Sequence, residues 1–319
     1  MTKQISKLLN EYYNKSLISF SELEGGWSAK AYKVETNDGI FFLKVYDKEK
    51  ASTKIWTAEI NTYMPIVIWL NHNTKLKNRI ICPVLSNSGE YKYEDEKFIY
   101  LLFPYIDGYT LGEKAMSSQQ IKEIAEILAE LHNYGAEIPV TTSSITEDFA
   151  VPFCRDLREI LSSLDHSQMN EEGAILKQFQ DILLINIEKV EKLSFKLTKE
   201  TLPLVLCHTD VHGWNIMQSH RLILIDWEGM KLAPPEADLF AFIGNRFWHN
   251  CSDGFMKTYQ TKHTDYEINL EVLEFYQTRR RIEDICAFAQ GLLYNNNVDE
   301  RERKESLRLL RRECELLSK

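Results

Sequence analysis

The sequence predicts an α+β chain with an antiparallel-sheet first lobe and a mainly helical second lobe. Three observations carry this. Strand-like apolar runs crowd the first hundred residues, around a strong Asp38-Gly39 hairpin turn. Helical spacing dominates after Ser117. A compact strand-rich island from Leu204 to Asp226 interrupts those helices.

The elements follow in order. Leu17–Leu23 reads as a strand, and Ala31–Thr36 pairs across the Asp38-Gly39 turn with Ile40–Tyr46. Lys48 to about Asn71 has a helical pattern that Pro65 is expected to kink or end. Ile80–Leu85, Glu90–Tyr93 and Phe98–Phe103 are further strand candidates. The segment FPYIDGYT, Phe103 to Thr110, reads as a connector. Ser117 and Gln120 offer a capping box for a helix carrying Ile121, Ile124, Leu128 and Leu131. Helical stretches are expected near Glu147–Leu164 and Glu171–Lys192, and again from Glu236 to the end. The domain reading is a first lobe over 1–103 and a second over 104–319, with a helical insertion at about 141–200.

Composition narrows the classes. A chain of 319 residues with 44% hydrophobic residues can bury a sizeable core. The formal net charge of -9 argues against nucleic acid and suits a cationic small ligand. The six cysteines form no CxxC pair and read as reduced thiols. The polar N-terminal stretch lacks a signal-peptide apolar core, and no apolar run approaches a membrane span, so the expected compartment is the cytoplasm.

The strongest chemical signal is HTDVHGWN, His208 to Asn215. Phosphoryl transfer needs a carboxylate to take or orient the acceptor proton and oxygen ligands for magnesium nearby. The spacing D-x-x-x-x-N supplies both from one loop. Asp210 is the candidate base and Asn215 a metal ligand. The apolar strand LILI then ends in Asp226, and a short hairpin, Ile216–Gln218 with Leu222–Ile225, would return it beside Asn215 as a second hard oxygen ligand. Lys44, flanked by apolar residues in IFFLKVY, resembles the strand lysine that contacts nucleotide phosphates. Its expected partner is an acid on the following helix, Glu59, with Glu49 the weaker alternative. Gly25, Gly26 and Ser28 lie between two strands and would approach phosphate oxygens. The connector backbone around Phe103, Tyr105 and Ile106 would meet the nucleotide base. His132 is expected in the core, and His208 is expected to orient the loop backbone. Arg279–Arg281 read as a solvated helix face, while Glu283 and Asp284 are candidates for binding a cationic substrate.

On these residues the chain resembles the aminoglycoside phosphotransferase family, which shares the protein-kinase-like fold. LCHTDVHGWNIM, LILIDWEGMKLAPPEADL and FYQTRRRIEDI are similar to the spectinomycin phosphotransferase branch. The resemblance implies Asp210 as base, Asn215 and Asp226 as magnesium ligands, Lys44 on the phosphates, Glu59 as its partner and Asp238 as a structural aspartate. Trp227-Glu228 stand where protein kinases have Phe-Gly. The short span from Asp226 to Glu236 leaves no room for a long activation segment and favours a small acceptor. The expectation is therefore an enzyme using ATP or GTP with Mg2+ to phosphorylate a hydroxyl of a small amine-bearing molecule, foremost spectinomycin or a related aminoglycoside antibiotic. The alternatives are a metabolic kinase for choline, homoserine or a sugar, and an inert nucleotide-binding module.

Overall fold

In the amino-terminal sheet, the alternation of side chains along two strands decides what each face can do. The computed structural model describes residues 2–23, 29–164, 170–243, 251–294 and 300–318, the side chains of 51, 52 and 55 excepted. Strands β1 (Leu17–Leu23), β2 (Lys30–Thr36), β3 (Gly39–Asp47), β4 (Tyr93–Glu94) and β5 (Phe98–Pro104) form an antiparallel sheet in the order β1-β2-β3-β5-β4. Gly39, at φ +148°, makes the β2–β3 turn where a side chain would be strained. On β3 and β5, Leu43, Val45, Tyr100 and Leu102 point to one face and pack on helix α1 (Thr2–Tyr13) through Ile5, Leu8, Leu9 and Tyr13. Tyr46, Ile99 and Leu101 point to the other face and join a second core with Ile60, Tyr63, Met64 and Val67. Lys44 shares that second face, opposite Ala31 on β2 and Leu101 on β5.

Several elements differ from expectation for identifiable reasons. The helical stretch after Lys48 breaks at Ala58–Glu59 into α2 (Ala51–Thr57) and α3 (Ile60–Asn73), while Pro65 sits inside α3. The Thr57 hydroxyl donates back to the Thr53 carbonyl at 2.7 Å, a local competitor of helix continuation. Ile80–Leu85 is not a continuous strand: Pro83 has no donor, and the run makes only isolated pairings, a parallel bridge of Ile80 with Leu224 and a bond from Val84 N–H to the Leu102 carbonyl at 2.7 Å. The stretch expected at Glu147–Leu164 becomes α5 (Phe153–Ser163), after the Pro152 that precedes its first residue. The stretch expected from Glu171 is two helices, α6 (Glu171–Gln178) and α7 (Gln180–Leu197), which part at a non-helical Phe179.

The chain divides into two compact units. The first holds Met1–Glu147 and Pro203–Tyr266. Beyond the sheet it contains β6 (Tyr109–Thr110), α4 (Ser118–Leu131), β7 (Val205–Cys207), β8 (Ile216–Gln218), β9 (Leu222–Leu224), β10 (Lys231–Ala233), α8 (Glu236–Leu239) and α9 (Ser252–Tyr259). The expected capping box is present: Gln120 N–H donates to the Ser117 hydroxyl, and the Gln120 side chain accepts from Ser117 N–H. The small sheets order as β6-β8-β9 and β10-β7. A boundary at residue 103/104 does not coincide with this division, because one apolar cluster runs from Tyr46 and Leu101 through Ile124 and Leu128 to Ile216 and Leu224. The second unit holds Asp148–Leu202 and Glu267–Lys319, with α5, α6, α7, α10 (Leu270–Tyr294) and α11 (Glu300–Leu317). Among the described residues, no helix is long and apolar enough to cross a membrane.

The packing of α1 yields a direct test. Leu9 is fully buried, so Leu9→Ala removes core volume and is expected to lower stability by about 2–5 kcal/mol. The exposed Lys7→Ala should stay within about 0.5 kcal/mol. Urea unfolding checks both, and an unchanged midpoint for Leu9→Ala would show that α1 does not rest on the sheet.

Candidate active site

The segment after β7 is built around one buried carboxylate. Asp238, within the short α8, accepts backbone N–H bonds from His208 at 2.9 Å and Thr209 at 2.6 Å. Thr209 has φ +66°, a left-handed conformation unusual for a β-branched residue, which the surrounding bonds hold in place. Its hydroxyl donates to the Gly229 carbonyl at 2.7 Å. His208 ties the loop to β9: Nε2 donates to the Ile225 carbonyl at 2.9 Å and Nδ1 accepts from Asp210 N–H at 3.3 Å. Burial holds the His208 ring below its usual pKa, so it serves as a backbone clamp. His132, expected in the core, is there, with Nε2 against Asp238 at 3.1 Å and Nδ1 accepting from the Tyr259 hydroxyl at 2.8 Å.

The loop then delivers its polar side chains together. Asn215 Nδ2 donates to the Asp210 carbonyl at 3.0 Å and to Asp210 Oδ2 at 2.9 Å. That contact leaves the Asn215 carbonyl oxygen, Oδ1, on the other side of the amide. Gly213 is required here, because a Cβ would stand 1.8 Å from the Gly112 carbonyl. The β8–β9 hairpin pairs Ile216 with Leu224, and Ile225 N–H donates to the Asn215 carbonyl at 3.0 Å, which returns Asp226 beside Asn215.

Lys44 reaches this group from β3. Its ammonium lies 2.5 Å from Asp226 Oδ1 and also binds Glu228 Oε1, which accepts from the Tyr46 hydroxyl as well. Lys44 and Glu228 keep 12% and 10% of their side-chain surface, whereas Asp226 keeps 38%. Burial alone would raise the Asp226 carboxyl, but the Lys44 ammonium overrides it and holds that group below the usual carboxylate range. Glu228 goes the other way: burial and then the Asp226 charge raise it against the pull of Lys44. The Asp210 charge also acts on Asp226. Asp210, Asn215, Asp226 and Glu228 thus offer hard oxygen donors, a set that fits a cation such as magnesium. The more open carboxylate of Asp226 and the Asn215 side-chain oxygen, Oδ1, to which no hydrogen bond is donated among the described residues, are the atoms suited to hold it.

The remaining expected residues fall as follows. Lys44, Asp210, Asn215 and Asp226 converge. Glu59 does not join them: it is exposed, at the break between α2 and α3, and among the described residues its carboxylate accepts one long contact, from Ser144 Oγ at 3.4 Å. Glu228 holds Lys44 instead. Gly25, Gly26 and Ser28 lie outside the described residues. Phe103 pairs with Phe42 at the end of β5, and Tyr105 N–H donates to the Ile40 carbonyl at 3.1 Å. Pro104 has no N–H, so past the strand Ile106 is the first residue whose donor is outside the backbone ladder. In the second unit, Asp284 accepts from Arg280 Nε at 2.9 Å, and Glu283 is exposed on α10. The Arg279–Arg281 run is half-buried, not solvated: Arg281 binds Glu313 at 3.0 Å and Arg279 covers the Phe275 ring. Sequence reading missed the contacts of Glu228 and Tyr46 with this group; the strand parity of Tyr46 with Lys44 is the signal that was available.

A model described as the phosphotransferase enzyme family matches residues 19–276. Among solved structures, spectinomycin phosphotransferase in complex with ADP and spectinomycin superposes with a TM-score of 0.79 at 21% identity, covering 99% of this chain and 97% of the other. Choline kinase LicA from Streptococcus pneumoniae does so at 0.67 and 17% identity, covering 100% and 99%. Protein StrN of Streptomyces griseus is 22% identical over 175 residues, 51% of this chain, which spans about half, 54%, of that relative's length.

Stability can show which acid holds Lys44. Glu228→Ala removes a charged partner from a buried ammonium and a buried tyrosine hydroxyl, and is expected to cost about 1–3 kcal/mol. Glu59→Ala should stay within about 0.5 kcal/mol. Equal effects in urea unfolding would return Glu59 to contention.

Proposed function

Since the chain belongs to the phosphotransferase enzyme family, we propose that it transfers the γ-phosphoryl group of ATP or GTP to a hydroxyl of a small amine-bearing molecule. The leading acceptor is spectinomycin or a related aminoglycoside, which would make the protein an agent of antibiotic resistance. One observation carries the reaction type: Lys44 from the sheet and Asp210, Asn215, Asp226 and Glu228 from the 208–228 segment meet in one place.

In this reading the acceptor oxygen attacks the γ-phosphorus in line, and the bond to the bridging oxygen of the leaving nucleoside diphosphate breaks. Asp210 takes the acceptor proton. Lys44 exchanges part of its contact with Asp226 for phosphate oxygens, and Glu228 with Tyr46 keeps the ammonium at the site during that exchange. Asn215 and Asp226 would hold magnesium, which when bound supplies positive charge against the triphosphate. The first backbone donor for the base is Ile106, since Tyr105 is committed to Ile40. The nucleotide-binding lobe is residues 1–103, and the catalytic and acceptor-binding lobe 104–319. The cysteines described are all free, which supports a reducing compartment such as the cytoplasm.

Fold likeness supports the acceptor class, because spectinomycin phosphotransferase aligns with nearly the whole chain. The likeness to choline kinase LicA favours a second reading, a metabolic kinase for choline or another small alcohol. An inert nucleotide-binding module is disfavoured, since Lys44, Asp210, Asn215 and Asp226 are all in place. A panel of spectinomycin, other aminoglycosides, choline, homoserine and sugars with labelled nucleotide separates these readings. Label transfer to choline alone would remove the antibiotic role, and no transfer to any hydroxyl compound would favour the inert module.

The base is tested on magnitude. Asp210→Ala should lose about 10²–10⁴-fold in kcat, or roughly 2.7–5.4 kcal/mol of barrier, while still binding nucleotide by calorimetry. Asp226→Ala should lose magnesium-dependent nucleotide binding as well. Full turnover by Asp210→Ala would end its assignment as base.

A further inference from the structure

Of the three histidines around the loop, His132 and His208 have both ring nitrogens engaged with groups that anchor the backbone. His212 is different, because one of its nitrogens meets the side chain of Asp210 itself. We propose that His212 is a positioning residue for Asp210: its Nε2–H donates to Oδ2 and, with Asn215, holds the carboxylate plane in one orientation for proton acceptance. This rests on the reading of Asp210 as the base.

The ring geometry sets the direction of the bond. His212 has extended backbone, φ -147° and ψ 170°, just before the short turn Gly213–Asn215. Its Nδ1 accepts from Trp214 N–H at 3.2 Å, so that nitrogen carries a lone pair. The ring proton then sits on Nε2, which lies 3.3 Å from Asp210 Oδ2. Asn215 Nδ2 reaches the same Oδ2 at 2.9 Å. Two side chains anchored at different residues converge on one oxygen and oppose rotation of the carboxylate, where a single donor would act as a pivot. The ring keeps 21% of its side-chain surface. With Nε2 donating to Asp210 and Nδ1 accepting from Trp214, no lone pair is left for the acceptor proton. His212 therefore acts through Asp210.

The two ring contacts can be separated by substitution. His212→Asn keeps a short acceptor for Trp214 N–H, as asparagine does at helix caps, but cannot reach Asp210. His212→Gln carries its amide donor farther out and can restore the contact with Oδ2. Turnover is measured as MgATP hydrolysis to water and with spectinomycin as acceptor. In parallel, long-range ¹H–¹⁵N spectra of the labelled protein report each ring tautomer, with His212 assigned by its disappearance in His212→Asn. The expected result is a ring proton on Nε2 and a kcat for His212→Asn lowered by about 10- to 100-fold, with KM and thermal midpoint essentially unchanged. His212→Gln should recover most of the rate, which a purely structural cap would not predict. A ring proton on Nδ1 overturns the proposal. So does wild-type turnover by His212→Asn when Asp210→Ala is inactive. An active Asp210→Ala instead removes the base assignment itself, a separate failure. Should the wild-type protein turn over neither probe, the tautomer decides alone.

Discussion

The candidate site depends on the Asp238 carboxylate, which accepts the N–H groups of His208 and Thr209 from a fully buried position. Charge-assisted bonds of this kind are worth more than neutral ones, and a left-handed threonine costs on the order of 1–3 kcal/mol. The two bonds offset that cost and turn the chain sharply after β7. The turn brings Asp210 back over Asn215, and everything downstream inherits its placement. His208 then fixes the start of the Asp226 turn through the Ile225 carbonyl. The eight-residue loop is thus held at its start by side chains that take no part in the proposed chemistry, while its far end is held through Asn215.

The same anchor explains why a cluster with metal-like spacing is better understood as structural. His132 Nε2, Cys207 Sγ and an Asp238 oxygen lie within 4.8 Å of one another. Yet both Asp238 oxygens accept backbone bonds, His132 Nδ1 is bound by Tyr259, and the Cys207 thiol donates to the Ala233 and Pro234 carbonyls at 3.5 Å. Burial pushes the Cys207 thiol well up, the opposite of what a thiolate ligand needs. A cation there would have to strip the bonds that hold Thr209, and with them the loop.

How much was legible in the sequence follows from the range of each interaction. HTDVHGWN and LILIDW were readable because their chemistry is local: D-x-x-x-x-N closes on itself, and a hairpin with its turn at Ser219–Arg221 has little choice of register. Hairpin β2–β3 was equally local, set by Asp38-Gly39. The Lys44 partner was not readable, because it depends on which of several acids a distant segment brings to β3. Glu59 is 15 residues from Lys44 in sequence and sits at a helix break; Glu228 is 184 away and meets it. Helix α1 was overlooked although Ile5, Leu8, Leu9 and Tyr13 are spaced for one face, since its remaining residues are polar enough to read as an ordinary tail. Ile80–Leu85 looked like a strand by composition, but Pro83 removes a ladder donor.

Charge balance links Lys44 to the proposed reaction. One ammonium faces two carboxylates, Asp226 and Glu228, with the charge of Asp210 acting on Asp226. Like charges that close raise the protonation of one member, and Glu228, the more buried of the Lys44 pair, is the one pushed up. Asp226 stays ionised and more open, which is the state and exposure a metal ligand requires. Glu228 is satisfied without any ion, by Lys44 and by the Tyr46 hydroxyl. In the proposed reaction the two acids divide the work by burial: Glu228 ties its own turn to Lys44 and Tyr46 of β3, and Asp226 is the carboxylate left for an incoming cation.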